Sequence, residues 1–378
     1  MSLLIISHSY ISEENQKNIL ALSHYLIVRA VVPESFESRV FKTIKASVSS
    51  ETKNVIKILK AIHLPRSQYI LRPFALDLFE EPTEVINIEY DPWSVMFWQA
   101  IAARKRSGRK CKVVCTIKNN TYTFYPGLLG RLKLAIARRG IANVDLFFAS
   151  SENVARMYHE RFSVPREKIL MCYHLGVDTD LFCPVTESRP RANITRLVVG
   201  YCGRFNEDKG ILDLIEAVKD CRLRRGADLE LHLLGNGVMR NKILQMKEEN
   251  PWIKVFDPMP PAHVPRFLQA LDIFVLPSRV SPAREEHDAH ALVEALAVGL
   301  PCIGTQSGII PELLAQDEGL LVPANSSHSL ADAIAKLAAN ISLRDLFGRK
   351  ARAKILEEHA IDSLAKKKAV IFKRLGCN

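Results

Sequence analysis

Residues 271–314 read LDIFVLPSRVSPAREEHDAHALVEALAVGLPCIGTQSGIIPELL, and this stretch decides the fold. The short apolar run Ile273–Leu276 predicts a buried strand, and the apolar spacing of His290–Val298 predicts a helix. A second apolar strand, Pro301–Gly304, follows directly after Gly299. Strand, helix and strand in this order are typical of a parallel sheet whose faces are covered by helices.

The same alternation extends through both halves of the chain. In the first half the predicted strands are Leu3–Ser7, Ile27–Val32, Val85–Glu89, Lys112–Ile117 and Leu146–Ser150, and the predicted helices are Asn15–Leu22, Trp93–Arg106 and Leu128–Arg139. In the second half the further strands are Arg196–Tyr201 and Leu229–Leu234, and the further helices are Ile211–Val218, Val238–Glu249 and Val264–Ala270. At 378 residues the chain is long enough for two such α/β domains, each with its own core.

A break in the periodicity separates the two halves. The segment Thr179–Ile194 contains two prolines and no regular apolar spacing, and we interpret it as a linker. The predicted domains are therefore residues 1–185 and residues 186–357. Further on, the run Lys366–Lys368 lies in a helical context, and we interpret it as a solvated face.

The overall composition is that of an ordinary globular protein, with 48% hydrophobic and 25% charged residues. No apolar run approaches the roughly 20 residues that a membrane-spanning helix needs, and the N-terminal sequence lacks the features of a signal peptide. We therefore expect a cytoplasmic protein. Its eight cysteines lie in apolar contexts typical of reduced core thiols, and no second pair or histidine cluster accompanies Cys111 and Cys115 to complete a zinc site.

The net charge of +11 is unevenly distributed along the chain. Residues 1–185 contain 25 Lys and Arg against 17 Asp and Glu, so most of the cationic excess lies in the first half. A basic surface attracts anionic phospholipid, a pyrophosphate-bearing acceptor or nucleic acid, and it is equally typical of a solvated face without a partner. Since no aromatic and basic motif accompanies the charge, we expect no nucleic-acid partner.

Two glycine-containing turns follow strands of the second half. In GYCGRFNEDKGILDLIEAV, Gly203 and Arg204 leave a strand and Lys209 precedes a helix. Ligands bind at this edge of parallel sheets, and helix N–H groups with two cations suit a diphosphate; the alternative is a surface turn with chance basic residues. In HLLGNGV, Gly235 and Gly237 allow backbone amides to approach a ligand closely, although such a pair also closes ordinary turns.

Two glutamates edge the same predicted cleft. Glu294 lies in the helix that starts near Ala289, and Glu286 lies in the loop before it. Carboxylates pair well with neighbouring hydroxyls because each oxygen accepts a hydrogen bond, so one can face a sugar and the other a ribose. Glutamates at this spacing are common by chance on helices. Their position after the basic turn and before Gly299 and Gly308 is what indicates a functional role.

In this order of motifs the chain resembles the large retaining glycosyltransferase family four, which has the GT-B architecture. The similarity covers most of residues 196–345 and includes the two glycine turns, the LPS strand end, the paired glutamates and the segments EALAVGLPCIGT, SGIIPEL and GLLVPANSSHSLADAI. HLGVDTDLFCP, at His174–Pro184, resembles the element that ends the family's N-terminal domain. The first half matches more loosely, through EYDPWSVMFWQAIAARK.

The resemblance implies two Rossmann-like, doubly wound domains that face each other across a cleft. Residues 1–185 would bind the acceptor and residues 186–357 the nucleotide-sugar donor, with a C-terminal helix of about residues 358–378 packing back on the first domain. It also implies transfer with retention of the anomeric configuration and no catalytic metal. The sequence has no acidic DxD-type cluster at a strand end with the spacing for Mg²⁺, so we expect no cofactor besides the nucleotide-sugar co-substrate.

By this resemblance Arg204, Lys209 and Glu286 are the catalytic residues. The two cations would neutralise the donor diphosphate, Glu286 would touch the transferred sugar near its C3 hydroxyl, and Glu294 would hold the ribose hydroxyls. The glycine turn SGI would lie against the diphosphate and the VFD segment near the base. The donor-binding set is completed by Gly203, Gly235, Gly237, Phe256, Asp257, Ala289, His290, Ala291, Gly308 and Ile309.

Two departures from the family pattern fall in this site. The sequence VFDPMP lacks the small glycine turn that members usually carry near the base. After Glu286 the usual Phe-Gly is replaced by Asp288–Ala289, with His287 and His290 beside them. Because a glycine is lost and polar groups are added, the sugar pocket is reshaped and the identity of the donor does not carry over. The two histidines are either sugar contacts or exposed loop residues.

The first half offers weaker candidates for binding the acceptor. The family often keeps a glycine loop after the first strand, whereas this chain has SHSYISEENQKN there. The acceptor-side candidates are His8, Glu13, Asn15, Glu89, Asn119 and Asn120. The alternative roles are helix capping by Ser12 with Asn15 nearby, and an ordinary polar turn at the strand end for Asn119 and Asn120.

The expected function is transfer of a sugar from a UDP- or GDP-sugar to a hydroxyl, in the synthesis of a polysaccharide, glycolipid or other glycoconjugate. One alternative is a catalytically silent GT-B-fold subunit that binds a partner transferase, against which the intact set of site residues argues. Another is a sugar-nucleotide epimerase, whose acid and base residues are not identifiable in order here.

A helix of the first domain indicates a further partner. GLLGRLKLAIARRGI combines apolar residues such as Leu128 and Leu132 with the basic residues Arg131, Lys133, Arg138 and Arg139. Such a helix sits at an anionic membrane surface, where it would bring the acceptor cleft to a lipid-linked saccharide. The alternative is that its apolar face packs on the sheet.

Overall fold

The computed structural model describes residues 1–37, 43–64, 68–72, 82–118, 127–185, 196–281 and 284–377. The chain divides into two compact units. Unit 1 comprises Met1–Gly176 together with Ile361–Asn378, and unit 2 comprises Val177–Ala360. The sequence-based boundary after residue 185 differs from this division, because the first nine residues past Gly176 already belong to unit 2.

Unit 1 is built on a mainly parallel sheet. Its strands are β1 Ser2–Ile6, β2 Ile27–Pro33, β3 Ser35–Phe36, β4 Ile44–Lys45, β5 Ile56–Leu64, β6 Gln68–Arg72, β7 Val85–Ile88, β8 Lys112–Ile117, β9 Leu146–Ala149 and β10 Ile169–Met171. The described strands follow the order β10-β9-β8-β7-β1-β2-β5-β6, in which β6 runs antiparallel to β5. Strands β3 and β4 form a separate antiparallel pair.

Helices cover both faces of this sheet. They are α1 Glu13–Ser23, α2 Val95–Arg106, α3 Leu128–Ile141, α4 Glu152–Phe162 and α12 Ile361–Gly376. Because side chains alternate along β1, Leu4 joins the core cluster that contains Phe97 of α2 and Tyr158 of α4, whereas Ile5 lies beside Leu22 of α1 and Phe372 of α12. The segment assigned from the sequence to a C-terminal helix is therefore part of unit 1.

Unit 2 is a parallel sheet with helices α5 to α11. Its strands are β11 Leu197–Cys202, β12 Leu229–Leu234, β13 Ile253–Phe256, β14 Ile273–Leu276, β15 Cys302–Thr305 and β16 Gly319–Val322. Its helices are α5 Ile211–Arg225, α6 Arg240–Glu249, α7 Val264–Gln269, α8 His290–Ala297, α9 Ile310–Leu313, α10 Ser327–Ala339 and α11 Ile341–Lys354. The doubly wound α/β fold predicted from the sequence is thus confirmed in both units.

The strand order of unit 2 determines where a ligand can bind. The described strands follow the order β13-β12-β11-β14-β15-β16, so β11 is flanked by β12 on one side and by β14 on the other. The connections after β11 and β14 therefore diverge, which opens a crevice at the carboxyl ends of these two strands. The basic turn follows β11, and the loop with Glu286 follows β14.

Sequence signals fix several helix ends. Ser151, Ser326 and Asn340 each accept a backbone N–H with their side chain at the start of α4, α10 and α11. Helix α5 ends at Gly226, which adopts the left-handed conformation with φ +67°. Among the described residues, every helix falls short of the length or the apolar content that crossing a bilayer requires.

Candidate active site

The crevice of unit 2 is closed at its base by a contact between two loops. After β11 the chain passes through a 3-10 turn, Glu207–Lys209, and reaches Gly210 at the start of α5. Gly210 has φ +66°, and a Cβ there would lie 1.9 Å from the carbonyl oxygen of Pro277, which follows β14. Only glycine allows this approach, so the KG pair places Lys209 directly beside the loop after β14.

Lys209 and Glu286 form the centre of the site. The Lys209 Nζ lies 2.5 Å from Glu286 Oε2, and the Ser278 hydroxyl donates to the same oxygen at 2.5 Å. Glu286 is buried, with a side chain 7% exposed. Burial by itself raises the pKa of the Glu286 carboxyl, but the Lys209 ammonium and the Ser278 hydroxyl outweigh it and hold that pKa below its usual value. Glu286 is therefore ionised at neutral pH.

The loop after β15 fixes the backbone of Glu286. The Glu286 N–H donates to the Ser307 hydroxyl at 3.1 Å, and the Ile309 N–H donates to the Glu286 carbonyl oxygen at 3.2 Å. Gly308, with φ +53°, lies between these two contacts. The predicted donor residues Gly308 and Ile309 thus meet the predicted catalytic residue Glu286 through the main chain.

Arg204 supplies a second cation at the end of β11. It is partly buried, and its carbonyl oxygen accepts a hydrogen bond from the Tyr201 hydroxyl at 2.8 Å. Within the described ranges, its guanidinium makes no hydrogen bond. While the charge of Lys209 is compensated by Glu286, the five N–H donors of Arg204 remain available to an anion.

Glu294 lies on α8 and is partly buried. Burial raises the pKa of its carboxyl to about 7. The partly buried Cys202 thiol also has a raised pKa, of about 12, which is caused first by desolvation and second by the nearby Glu294 carboxylate. Glu294 is therefore close to the end of β11, on the same crevice as Arg204.

The two glycines of the GxG turn have a packing role. Gly235, with φ +147°, would place a Cβ 1.9 Å from the Gly203 carbonyl oxygen, and Gly237 would place one 2.5 Å from the Phe205 carbonyl oxygen. The close approach that requires glycine here is therefore to the basic turn of this same unit. These glycines hold the main chain around Arg204 in position.

An aromatic side chain stands at the end of β13. Phe256 is 36% exposed and packs edge-on against Phe267, with ring centroids 5.5 Å apart. The adjacent Asp257 carboxylate pairs with Arg240 at 2.6 Å, and Arg240 also donates to the Gly235 carbonyl oxygen at 3.1 Å. The segment predicted to contact the base is thus tied to the GxG turn.

The loop between the two glutamates carries the departures from the family pattern. Ala289 precedes α8 with φ +45°, a left-handed conformation that non-glycine residues seldom adopt. His287 is partly buried, while His290 is exposed at the start of α8, followed by the partly buried Ala291. The interpretation of both histidines as exposed loop residues therefore fits His290 and is wrong for His287.

Two family models match successive parts of the chain. Residues 185–354 match the family model described as Glycosyl transferases group 1, and residues 60–196 match the model described as Glycosyltransferase Family 4. The chain belongs to glycosyltransferase family four.

Curated relatives of this family four protein are distant. WcaL of Escherichia coli (strain K12), named as a colanic acid biosynthesis glycosyltransferase, is 34% identical over 47% of this chain and 43% of its own length. N-acetyl-alpha-D-glucosaminyl L-malate synthase of Bacillus anthracis is 24% identical over 77% of this chain and 75% of that protein. The chain thus spans less than half the length of WcaL.

A solved structure resembles the whole family four chain. HepE of Anabaena in complex with UDP-glucose superposes with a TM-score of 0.71 at 15% identity, covering 99% of this chain and 100% of HepE. At this identity the likeness concerns the fold, and the GT-B fold predicted from the sequence is confirmed.

Most of the acceptor-side candidates lie in unit 1 in different environments. His8 stacks on Phe36 with ring centroids 4.3 Å apart, and Glu13 is exposed on α1. The Asn15 side chain donates to the Ser9 carbonyl oxygen at 2.7 Å, which holds the loop after β1. Asn119 and Asn120 lie outside the described residues.

Glu89, the remaining acceptor-side candidate, is 3% exposed. Its carboxylate accepts hydrogen bonds from the Tyr10 hydroxyl at 3.0 Å and the Asn87 amide at 3.1 Å, and it lies 3.4 Å from His174 Nε2. Lys368 of α12 donates to the His174 carbonyl oxygen at 2.6 Å. Glu89 is thus an internal residue of unit 1, and the interpretation of Lys366–Lys368 as a solvated face is wrong for the buried Lys368.

The sequence-based site lacked two serines that the structure adds. Ser278 contacts the carboxylate of Glu286, and Ser307 contacts its backbone. Both are polar residues that come within two positions of a strand end, which is the signal that could have identified them. Within the described ranges, no three His, Cys, Asp or Glu side chains form a group that could hold a metal ion.

Proposed function

We propose that this chain transfers a sugar from a nucleotide-sugar donor to a hydroxyl acceptor with retention of the anomeric configuration. The observation that carries the proposal is the partly buried Lys209–Glu286 pair, with Arg204 on the same turn after β11, in the crevice between β11 and β14. Cations at that edge of a parallel sheet are suited to a diphosphate, and a buried ionised carboxylate is suited to sugar hydroxyls.

The donor diphosphate is assigned to Arg204, Lys209 and the backbone of Gly308–Ile309. When a diphosphate binds, Lys209 can share its ammonium between Glu286 and a phosphate oxygen, because an ammonium has three donors. Arg204 adds a planar guanidinium that binds two oxygens at once. Positive charge placed in advance stabilises the departing diphosphate, and one such donor is worth about 3 kcal/mol of the barrier.

The sugar and the nucleoside are assigned to the residues around this centre. Glu286, whose Oε2 is held by Lys209 and Ser278, accepts a hydrogen bond from a hydroxyl of the transferred sugar. Glu294 accepts from the ribose hydroxyls. Phe256, exposed at the end of β13, provides an apolar surface beside the base.

In the proposed reaction the bond between the anomeric carbon and the diphosphate oxygen breaks. The acceptor oxygen forms a bond to the same face of that carbon, and the acceptor proton passes to the departing phosphate oxygen. Arg204 and Lys209 stabilise the negative charge on the departing diphosphate. The proposal therefore includes no metal or other cofactor, and the nucleotide-sugar is a co-substrate. We assign the acceptor to unit 1.

The acceptor class is suggested by the relatives and by α3. WcaL is named for colanic acid biosynthesis, and HepE binds UDP-glucose, so we propose a UDP-sugar donor and a saccharide acceptor carried on a lipid or a growing chain. In α3, Leu134 and Ile141 pack against the core, whereas Leu128 is 82% and Leu132 is 56% exposed. We propose that this exposed face contacts an anionic membrane peripherally.

A donor screen tests the proposed function. The full chain is incubated with UDP- and GDP-sugars, and slow hydrolysis is followed together with calorimetric binding of UDP and GDP. Binding of one nucleotide in the micromolar to millimolar range, with hydrolysis of one of its sugars, is expected. Absence of both binding and hydrolysis across the panel, in a folded sample, would favour a catalytically silent subunit.

A further inference from the structure

One buried polar atom in the crevice has no role in the function proposed above. His287 Nδ1 is shielded from solvent, and among the described residues it has no hydrogen-bond partner. The preceding residue, Glu286, has hydrogen-bond partners for both its side chain and its backbone. Lys209 and Ser278 donate to its carboxylate, and its N–H donates to the Ser307 hydroxyl. The unpaired nitrogen is therefore an exception among the described residues of this loop.

An unpaired buried nitrogen is costly. Native proteins keep few buried polar atoms without a hydrogen-bond partner unless a ligand or a specific role compensates. His287 stands beside Asp288–Ala289, where this chain departs from the Phe-Gly that the family usually has.

The surroundings of the ring place it beside the reacting sugar of the proposed function. His287 directly follows Glu286, whose backbone is fixed by Ser307 and Ile309, so the start of its side chain is fixed as well. The Lys209 ammonium and the Glu286 carboxylate both act electrostatically on the ring. The ring thus lies within electrostatic range of the two groups that would hold the diphosphate and the sugar.

The ring is neutral in this environment. Burial lowers the pKa of His287 below its usual value, although the carboxylates of Asp288 and Glu286 act in the opposite direction. In a neutral imidazole one nitrogen donates and the other accepts. Depending on the tautomer, Nδ1 can therefore accept a hydrogen bond from a hydroxyl or an amide N–H, or donate one to their oxygen.

We propose that His287 determines donor specificity by forming a hydrogen bond from Nδ1 to a polar substituent of the transferred sugar, next to the hydroxyl held by Glu286. The inference rests on the proposed function and extends it to the class of donor. It predicts a sugar that carries a hydroxyl or an acylamino group at the carbon facing His287. A deoxy sugar at that carbon would leave the nitrogen unpaired.

Three substitutions at this position test the proposal. His287→Ala removes the ring, His287→Asn keeps a polar group near the place of Nδ1, and His287→Gln moves it towards the place of Nε2. His328→Ala, which removes an 80% exposed histidine of α10, is the matched control. For each variant we measure kcat/KM with a panel of nucleotide-sugars and their deoxy analogues, and the affinity for the nucleotide alone.

The expected result is selective. His287→Ala loses about tenfold in kcat/KM with the preferred donor, His287→Asn recovers most of it and His287→Gln does not. The loss disappears with the deoxy analogue that lacks the contacted group, and nucleotide affinity is unchanged. Ligand-free thermal stability does not fall, because the removed nitrogen had no partner, whereas the stabilisation by the intact donor decreases.

The inference is overturned if His287→Ala affects all donors equally, or if it weakens binding of the nucleotide alone. Both outcomes require a wild-type chain that binds nucleotide and turns over a donor, so they leave the proposed function standing. A wild type that binds no nucleotide overturns the proposed function first, and with it the basis of this inference.

Discussion

Gly308 and Glu286 are in such close contact that a Cβ built on Gly308 would stand 1.7 Å from the Glu286 carbonyl oxygen. No side chain fits in that space, so the glycine is required by the position of the glutamate as well as by its own φ of +53°. The consequence is measurable through a second glycine that shares the conformation but lacks the contact.

Gly308→Ala should lower the stability of unit 2 much more than Gly226→Ala. Gly226 has φ +67° and no neighbouring atom within 4 Å, so its replacement costs only the left-handed strain of about 1 kcal/mol. Gly308→Ala adds the clash with Glu286. Thermal denaturation of the two variants measures the difference, and equal losses would show that the loop yields without cost.

Arg204→Ala and Lys209→Ala should each lower turnover at saturating donor by roughly tenfold or more, because each removes positive charge facing the departing diphosphate. Lys219→Ala, which removes an exposed lysine on α5, is the control and should keep normal turnover. Circular dichroism checks that the variants are folded. Near-normal turnover in both site variants would remove the diphosphate assignment.

Glu294 should make unit 2 less stable as the pH rises. Burial raises the pKa of its carboxyl from 4.5 to about 7, so the folded state binds a proton that the unfolded state has already released between these values. The free energy of unfolding therefore falls through this range, by up to about 3 kcal/mol, and stays lower above pH 7.

The Glu294→Gln variant isolates this effect from other titrating groups. It should be more stable than the wild type at about pH 8 and of similar stability at about pH 5, as measured by urea denaturation. A difference between the two proteins that does not change with pH would contradict the burial of the carboxyl.

Ala289→Gly should stabilise the protein by about 1 kcal/mol, because glycine adopts φ +45° without the steric cost that alanine bears there. Ala291→Gly, two residues further in the first turn of α8, is the control and should destabilise it by about 1 kcal/mol through lost helix propensity. The two changes in melting temperature should have opposite signs. Two losses of equal size would refute the strain at Ala289.

The exposed face of α3 should bring the protein to anionic membranes. The wild type is expected to sediment with anionic vesicles at low salt and to be released at high salt, since each basic residue near the surface contributes about 1 kcal/mol. Arg138→Glu with Arg139→Glu should abolish the binding. Lys366→Glu with Lys367→Glu, which reverses two exposed charges on α12, should retain it. A wild type that stays in solution with anionic vesicles at low salt would favour a soluble acceptor.

The regular part of the fold was predictable because its strands are short apolar runs with helical periodicity between them. Strands β8, β12 and β14 are confirmed residue for residue. The hairpin β5–β6 was missed, since Lys57 and Lys60 interrupt the apolar residues of β5 without a two-residue alternation. Such a strand has no clear pattern until its partner in the sheet is known.

The site was predictable as a set of positions along the chain but not as a set of contacts. Polar residues after strand ends identify the carboxyl edge of the sheet, and the family resemblance implies roles there for Arg204, Lys209 and Glu286. That Lys209 touches Glu286 depends on β14 lying beside β11, and pairing of strands so far apart in sequence is not encoded in either segment alone. Lys368 was misread for a related reason: its acceptor, the His174 carbonyl, is supplied by a distant part of unit 1.

The return of α12 to unit 1 has a consequence for biosynthesis. Phe372 is fully buried there and α12 packs against α1, yet both parts are separated in the chain by all of unit 2. At a typical synthesis rate of about 5–20 residues per second, Val177–Ala360 takes about 10 to 40 seconds to emerge. During that interval the face of the unit 1 sheet that α12 will cover stays exposed to solvent on the ribosome. A chaperone would bind the nascent chain at this face.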